Sequence, residues 1–260
     1  MQNYWVKQTA DKPLYPDLLW SRPENRAHAG KLLIVGGNAH GFAAPAMAFG
    51  EAVKAGIGTA KVLLPDSLRK SVGRTFEAGE YAPSTPSGSF SKQALATLLD
   101  YASWADAVLL TGDFGRNSET AVLLEQFSNK YTGLLAITQD AADYFIKTPQ
   151  LVANREEALL VISFAQLQKI AMNLGFTTAL TYEMDFIRLV DALHELTKNF
   201  TFNIVTKRGD TIFVAVDGQV STTKLNQDME VWRVQTAAHA VTWWLQNPNK
   251  PFEAITTSLI

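Results

Sequence analysis

The sequence contains no cysteine, no excess of charge of one sign and no long hydrophobic run, and each absence excludes a class of proteins. Without cysteine the chain forms no disulfide and has no thiolate chemistry, which fits a reducing cytosol. Charged residues make up 18% of the chain and the net charge is −2, so composition gives no electrostatic case for binding nucleic acid or an anionic membrane. No apolar run reaches the length of a membrane span, and the N-terminus lacks the apolar core of a signal peptide. We therefore expect a soluble, cytoplasmic protein.

The apolar content is ordinary, at 47% over 260 residues, and is enough to build a sizeable core. No linker or internal repeat divides the chain, so we expect one domain over residues 1–260. Prolines and scattered aromatics in residues 1–28 predict an irregular N-terminal arm. The last predicted helix stops near Pro248, so residues 246–260 form a C-terminal tail. The Trp-rich last helix offers a surface for a homo-oligomer.

One stretch organises the rest of the chain. A short apolar strand at Lys31–Val35 is followed by a Gly36-Gly37 turn, a small-residue helix over 43–55 and a second strand at Thr59–Leu64. This is the β-turn-α-β unit of parallel sheets. Four later apolar runs lack strict alternation, as expected for strands covered by helices on both faces; they cover residues 107–110, 133–138, 158–162 and 203–206.

Other local patterns predict connections and helices. Asp217-Gly218 between two β-prone runs predicts a hairpin. The Pro-, Ser- and Gly-rich stretch Ala82–Phe90 predicts an exposed loop. An apolar stripe at helical spacing predicts one long amphipathic helix, and its members are Leu180, Met184, Ile187, Val190, Leu193 and Leu196.

Two turns at strand ends carry the candidate chemistry. The Gly36-Gly37 turn matches neither a dinucleotide fingerprint nor a Walker loop, and it is either a ligand-lining turn or a plain tight turn. The Thr111–Gly115 turn follows another predicted strand, so the same crevice collects both. Asp113 in that turn is either an acid in the crevice or a cap. The four histidines have no metal-ligand spacing, and we expect no metal ligands.

The order of several segments along the chain is characteristic. Gly30-Lys31 and Gly36-Gly37-Asn38 precede Ala43-Ala44-Pro45-Ala46-Met47-Ala48 and then Gly56-Ile57-Gly58. This order resembles the ADP/ATP-dependent NAD(P)H-hydrate dehydratases of the ribokinase-like superfamily, with their G-G-[SN], G-A-P-A-x-A and G-x-G elements. Further on, Thr111–Gly115 is similar to the family's G-P-G-x-G turn and Thr138–Asp140 to its D-A-D segment. Thr206–Thr211 is similar to its L-K-G-x-x-T nucleotide segment.

The resemblance implies a three-layer α/β/α sandwich with a mostly parallel central sheet. It implies an NAD(P)H-type ligand, the hydrated cofactor, near residues of the first elements, which are Gly36, Gly37, Asn38, Ala44, Gly112 and Asp113. It also implies ADP or ATP with Mg near Lys207, Gly209 and Thr211. The family's reaction eliminates water from the damaged cofactor and is driven by nucleotide hydrolysis.

Two catalytic segments of the family are missing. Its G-G-T-G-D motif, which supplies a phosphate cradle and an acid or base, is replaced by Asp228–Arg233, so Glu230 and Asp113 are the remaining catalytic candidates. Its H-P-G-E segment, which supplies a substrate-contacting histidine and an acid, is replaced by Ser163–Gln166, so both side chains are lost. A missing acid or base costs roughly 10²–10⁴ in rate, and a missing oxyanion donor roughly 10²–10³. Three hypotheses follow: a divergent dehydratase, a non-catalytic nucleotide-binding or protein-interaction module, and a small-molecule kinase, which is disfavoured because it needs the same motif.

Overall fold

The computed structural model describes residues 3–9, 11–224 and 232–260, and within them ten strands form one sheet. The strands are β1 (Trp5–Gln8), β2 (Lys31–Gly36), β3 (Thr59–Pro65), β4 (Gly79–Ala82), β5 (Ala107–Gly112), β6 (Leu134–Thr138), β7 (Ala158–Ser163), β8 (Asn203–Arg208), β9 (Thr211–Val216) and β10 (Gln219–Lys224). The helices are α1 (Pro16–Trp20), α2 (Ala43–Lys54), α3 (Arg69–Val72), α4 (Leu95–Trp104), α5 (Ser118–Lys130), α6 (Gln150–Ala153), α7 (Phe164–Asn173), α8 (Phe186–Asn199), α9 (Trp232–Gln246) and α10 (Pro251–Thr257). Short 3₁₀ helices cover Arg26–His28, Asp66–Leu68, Lys92–Ala94 and Gln139–Phe145.

The strand order is β1-β10-β9-β8-β7-β6-β5-β2-β3-β4. Every adjacent pair in the described sheet is parallel except the two pairs that contain β9. The predicted turn at Asp217-Gly218 is confirmed, because it joins β9 to β10. The mostly parallel α/β architecture is therefore as the sequence predicts.

Helices cover both faces of the sheet, which makes three layers. On one face, Leu33 and Val35 of β2 belong to a core that includes residues of α4, α5, α7 and α8. On the other face, Leu32 and Ile34 belong to a core that includes residues of α2, α9 and α10. All four side chains are buried, which explains why the strand sequences do not alternate.

The chain reverses direction across the sheet between β2 and β5. From β2 it proceeds outward through β3 to β4, then crosses back to β5 and proceeds outward through β6 and β7 on the other side. Ligands of open α/β sheets bind at such a switch point, beyond the carboxyl ends of the two diverging strands. Here those ends are Gly36 and Gly112, which are register partners.

The two chain ends differ from the prediction. The N-terminal arm is not irregular throughout, because β1 pairs with β10 and Trp5 Nε1 donates to Thr222 Oγ1 at 3.1 Å. The C-terminal tail includes helix α10, and Gln8 Nε2 donates to the Thr256 carbonyl of that helix at 2.6 Å. Both contacts join residues more than two hundred positions apart, which local sequence patterns do not register.

Two internal predictions are also corrected. The stretch Ala82–Phe90 is not an exposed loop: Ala82 ends β4, and Thr85, Ser89 and Phe90 are buried. It packs on the glycine turn, where Ala39 N donates to the Gly88 carbonyl at 2.9 Å. The predicted long helix begins only at Phe186, so Leu180 and Met184 lie before it.

No helix in the described ranges is long and apolar enough to cross a lipid bilayer.

Candidate functional site

The ends of β2 and β5 touch at the switch point. A Cβ on Gly36 would lie 2.4 Å from the Gly112 carbonyl oxygen, 2.5 Å from Thr111 Oγ1 and 2.9 Å from Pro45 Cγ. No side chain fits there, because two of these contacts are with groups fixed by the strand backbone and by a buried threonine. Gly36 therefore serves the packing of two strands and α2, and its role in ligand binding stays a prediction.

The backbone N–H groups of the glycine turn are bound to protein acceptors. Gly37 N donates to the Gly112 carbonyl at 2.9 Å, and Asn38 and Gly41 exchange two backbone hydrogen bonds at 2.9 and 3.0 Å. His40 N donates to Asn38 Oδ1 at 2.8 Å. A phosphate cradle needs several N–H groups that point at the ligand. These N–H groups already donate to protein acceptors, so they do not form such a cradle.

Asp113 fills the N-terminus of α2. Its Oδ2 accepts a hydrogen bond from Ala44 N at 2.8 Å, in the first turn of the helix. The preceding Phe42 makes no side-chain cap, so the carboxylate from the neighbouring turn performs that role. Asp113 has φ of +59°, and Asn38 Nδ2 fixes its carbonyl at 2.5 Å. A negative charge at a helix N-terminus is favoured by the helix dipole. Asp113 is predicted as either an acid in the crevice or a cap, and the observed hydrogen bond is that of a cap.

Asp140 lies directly beside the β5 end. A Cβ on Gly112, which has φ of +149°, would lie 2.7 Å from Asp140 Oδ1. This oxygen is buried and has no hydrogen-bond partner. Burial, and secondarily the charge of Asp113, raise the pKa of the Asp140 carboxyl above its usual range. The glycine of this turn thus makes room for a carboxyl group of which one oxygen has no hydrogen-bond partner.

A cleft of about 530 Å³ opens next to Asp140. Its walls come from the N-terminus of α5 and from the 3₁₀ helix after β6; they are Gly115, Arg116, Asn117, Ser118, Asp140, Asp143 and Tyr144. The Tyr144 hydroxyl donates to the Gly115 carbonyl, and its ring contacts Phe114 edge-on at 6.2 Å between centroids. The cleft has the size of a small-molecule site, and most of the side chains in its wall are polar or charged.

Gln166 connects the cleft to α9. Its Nε2 donates to Asp143 Oδ1 and to the Gln139 carbonyl, both at 2.8 Å. Its Oε1 accepts from Ser163 N at 3.1 Å and from an Arg233 guanidinium nitrogen at 3.0 Å. Gln166 and Ser163 also form a capping box at the start of α7. Gln166 thus links α7, α9 and the 3₁₀ helix after β6 through a neutral amide, which is not a general base.

The predicted nucleotide residues form a separate group. Lys207, Gly209 and Thr211 lie at the β8–β9 turn, three strand spacings or about 14 Å from β5. Thr211 Oγ1 donates to Asp210 Oδ1 at 3.1 Å, and Asp210 pairs with Lys224 at 3.1 Å. The other catalytic candidate, Glu230, lies outside the described residues, as do positions 225–231 generally; α9 begins at Trp232.

The structure therefore brings together the first group of predicted site residues, which are Gly36, Gly37, Asn38, Ala44, Gly112 and Asp113. Sequence reasoning missed Asp143, Tyr144 and Arg233 as neighbours of this group. It also treated Gln166 only as a lost acid. The Ser163-x-x-Gln166 spacing is a capping-box signal that places Gln166 at a helix start, but its contact with Arg233 depends on tertiary packing.

The three layers, the strand order and the switch-point site define a ribokinase-like fold. Comparison with solved structures agrees. A ribokinase-like superfamily protein from Enterococcus faecalis superposes with a TM-score of 0.75 at 14% identity, over 97% of this chain and 84% of that one. A hypothetical protein from Streptococcus mutans gives 0.71 at 14% identity, over 92% and 82%.

A third structure carries a functional name. The ADP/ATP-dependent NAD(P)H-hydrate dehydratase from Bacillus subtilis, co-crystallized with ATP/Mg²⁺, gives a TM-score of 0.62 at 10% identity, over 95% of this chain and 86% of that one. Neither a family model nor a curated protein matches the sequence. Likeness at these identities shows the fold.

Proposed function

We propose that this chain binds an NAD(P)-type nucleotide in the cleft beside Asp140, without the ATP-driven water elimination of the dehydratases. The observation that carries the proposal is the contrast at the switch point. The anion position at the α2 N-terminus is filled by Asp113, whereas the 530 Å³ cleft next to it is open and lined by Asp140. The described residues thus form a ligand-sized cleft, whereas the α2 N-terminus is occupied by a carboxylate of the protein and is closed to a phosphate.

The resemblance and the fold support the choice of ligand. Two of the segments that resemble the dehydratase family, Thr111–Gly115 and Thr138–Asp140, each contribute a residue to this cleft. A structural neighbour is named as an ADP/ATP-dependent NAD(P)H-hydrate dehydratase. The cleft lies beyond the carboxyl ends of β5 and β6, beside the switch point at which open α/β sheets bind nucleotides. Carboxylate, hydroxyl and amide groups in its wall can receive the carboxamide of a nicotinamide ring.

The described residues do not fit the phosphates of ADP or ATP at this position. The turn amides are used within the protein, and the Arg233 guanidinium donates to Gln166. Within the described part of the chain, no three His, Asp or Glu side chains are grouped to hold a metal ion such as Mg²⁺. The family acid is replaced by the amide of Gln166. Loss of an acid or base alone lowers a rate by roughly 10²–10⁴.

A second candidate function is favoured by one observation. Asp140 has a raised pKa in a cleft, and such groups often act as acids or bases. In this alternative protonated Asp140 gives its proton to the hydroxyl of a hydrated nicotinamide, the carbon–oxygen bond breaks and water leaves. The neighbouring ring carbon then gives up a proton to the Asp140 carboxylate, which restores the acid and the ring double bond, and the chain is a divergent dehydratase. The two functions share a ligand class and differ in turnover.

Calorimetric titration tests the proposal. The purified chain is titrated separately with NADPH, NADH, Mg-ADP and Mg-ATP, and the titrations are repeated with Asp140→Asn and with the control Asp100→Asn, which changes an exposed aspartate of α4. We expect a dinucleotide to bind and Asp140→Asn to weaken it about tenfold or more, as for one lost hydrogen bond to a charged group. Binding of Mg-ADP or Mg-ATP alone, or of nothing, would contradict the proposal.

A further inference from the structure

A second cavity lies between α2, α9 and the residues that follow α10. Its volume is about 170 Å³, several times the roughly 30 Å³ that one water molecule occupies in the liquid. It shares no wall residue with the cleft beside Asp140, and its wall consists of Glu51, Ile212, Gln235, Thr236, His239, Ser258, Leu259 and Ile260. This cavity therefore has room for a small molecule at a place separate from the proposed dinucleotide cleft.

The charged groups of this cavity are paired with each other. Glu51 Oε1 accepts from Lys54 Nζ at 2.7 Å, and Glu51 Oε2 accepts from His239 Nε2 at 3.1 Å. Burial opposes the ionisation of Glu51, but these two hydrogen bonds outweigh it and hold the pKa of the carboxyl below its usual range. Burial lowers the pKa of His239, so the imidazole is neutral at neutral pH. Among the described residues, the wall thus offers a ligand no unpaired charge.

Gln235 supplies a polar atom of the wall that is not paired. It lies one helical turn before His239 and shares its face of α9. Its Oε1 is buried and has no hydrogen-bond partner within the described ranges. A buried acceptor without a donor is costly, and most such groups in native proteins are met by protein or water. The terminal torsion of a glutamine is broad, so the amide can turn toward the cavity. The site therefore favours a molecule that brings a donor.

We propose that this cavity binds a small uncharged carboxamide with a short aliphatic chain. The ligand amide pairs with the amide of Gln235, because each group has an N–H donor beside a carbonyl acceptor. The aliphatic chain lies against Ile212 and Leu259 in the wall. A carboxylate is excluded because it brings no donor and is repelled by the Glu51 carboxylate. An ammonium ion is disfavoured because it loses water without gaining a free counter-charge.

Three probes of nearly the same size test the proposed ligand class. Butyramide is neutral, butyrate is an anion and butylammonium is a cation. Each is titrated at neutral pH into the whole ¹⁵N-labelled chain, and the backbone amide signals of Thr236 and His239 are the local reporters. We expect butyramide to bind in about the millimolar range, as a ligand of this size permits. The two ions should bind at least about tenfold more weakly.

Two variants and a matched control test the position of the site. Gln235→Leu keeps the volume of the side chain and removes its amide, so butyramide should bind about tenfold more weakly, as for one lost hydrogen bond. Leu259→Trp places a larger side chain at a half-buried position of the wall and should abolish binding. Gln126→Leu, at an exposed position of α5, should keep the wild-type affinity. The dispersion of the amide spectrum shows whether each variant is folded.

Several results would overturn the proposal. Butyrate or butylammonium that binds as tightly as butyramide would contradict the ligand class. No detectable binding of butyramide is the result expected if water alone fills the cavity. An unchanged affinity in Gln235→Leu, or signals that shift around Asp140 in place of those of Thr236 and His239, would contradict the position. The proposed dinucleotide function is decided by its own titrations, since the two walls share no residue.

Discussion

Replacing Asp113 by three different residues separates the contributions that this side chain makes to stability. Asp113→Ala removes the hydrogen bond to Ala44 N, and loss of such a cap costs about 1 kcal/mol. It also removes the charge at the end of the helix dipole, a further contribution of about 0.5 kcal/mol. Since alanine keeps the strain of φ +59°, we expect the free energy of unfolding to fall by about 1.5 kcal/mol.

The other two substitutions isolate the backbone and the charge. Asp113→Gly loses the same cap, but glycine adopts a positive φ without the penalty of about 1 kcal/mol that other residues incur, so the net loss falls to about 0.5 kcal/mol. Asp113→Asn keeps an acceptor for Ala44 N and loses only the charge, again about 0.5 kcal/mol. Urea unfolding at neutral pH measures all three. An alanine variant as stable as the wild type would refute the capping role, and a glycine variant as unstable as the alanine variant would refute the strain.

Three further predictions concern the surrounding positions. Gly36→Ala should lower the free energy of unfolding by about 3 kcal/mol because its Cβ meets the Gly112 carbonyl. Gly50→Ala in α2, where a Cβ meets nothing, should raise the free energy of unfolding by about 0.5–1 kcal/mol. Equal effects of the two substitutions in urea unfolding would refute the close strand contact. Asp140→Asn should stabilise the fold at neutral pH, since a raised folded-state pKa means that the ionised form disfavours folding. This gain in stability should vanish in acid below about pH 4, where the carboxyl is protonated in both the folded and the unfolded state. A gain that does not depend on pH would contradict the role of ionised Asp140. Gln166→Ala should cost about 2–3 kcal/mol in the same assay because it leaves Asp143 and Arg233 without partners, and a loss below 0.5 kcal/mol would show that they find others.

Local sequence patterns predicted the central architecture well. The apolar runs that became β2, β5, β6, β7 and β8 have the length and the lack of alternation of buried parallel strands. The hairpin at Asp217-Gly218 follows from turn chemistry alone. Such patterns do not show pairing over long separations, so they predict an irregular arm where β1 pairs with β10, more than two hundred residues away.

At the candidate site, the sequence predicts which turns lie close together but not which side-chain hydrogen bonds they form. The two glycine turns meet as predicted, because parallel strands end at one edge of the sheet. That Asp113 turns toward Ala44 depends on its φ of +59° and on the register of β2 with β5, neither of which is visible in the sequence. In the same way, the sequence predicts Gln166 only as the replacement of a family acid. Its partner Arg233, at the start of α9, reaches it through the tertiary structure.

The measurement that tests the central claim most directly follows binding and turnover in one sample. The purified chain is incubated with hydrated NADPH and Mg-ATP, the formation of NADPH is followed by its absorbance, and bound dinucleotide is determined in parallel by calorimetry. The account predicts saturable dinucleotide binding that Asp140→Asn weakens, with no formation of NADPH above the protein-free control. Sustained NADPH formation dependent on ATP, or no dinucleotide binding at all, would contradict it.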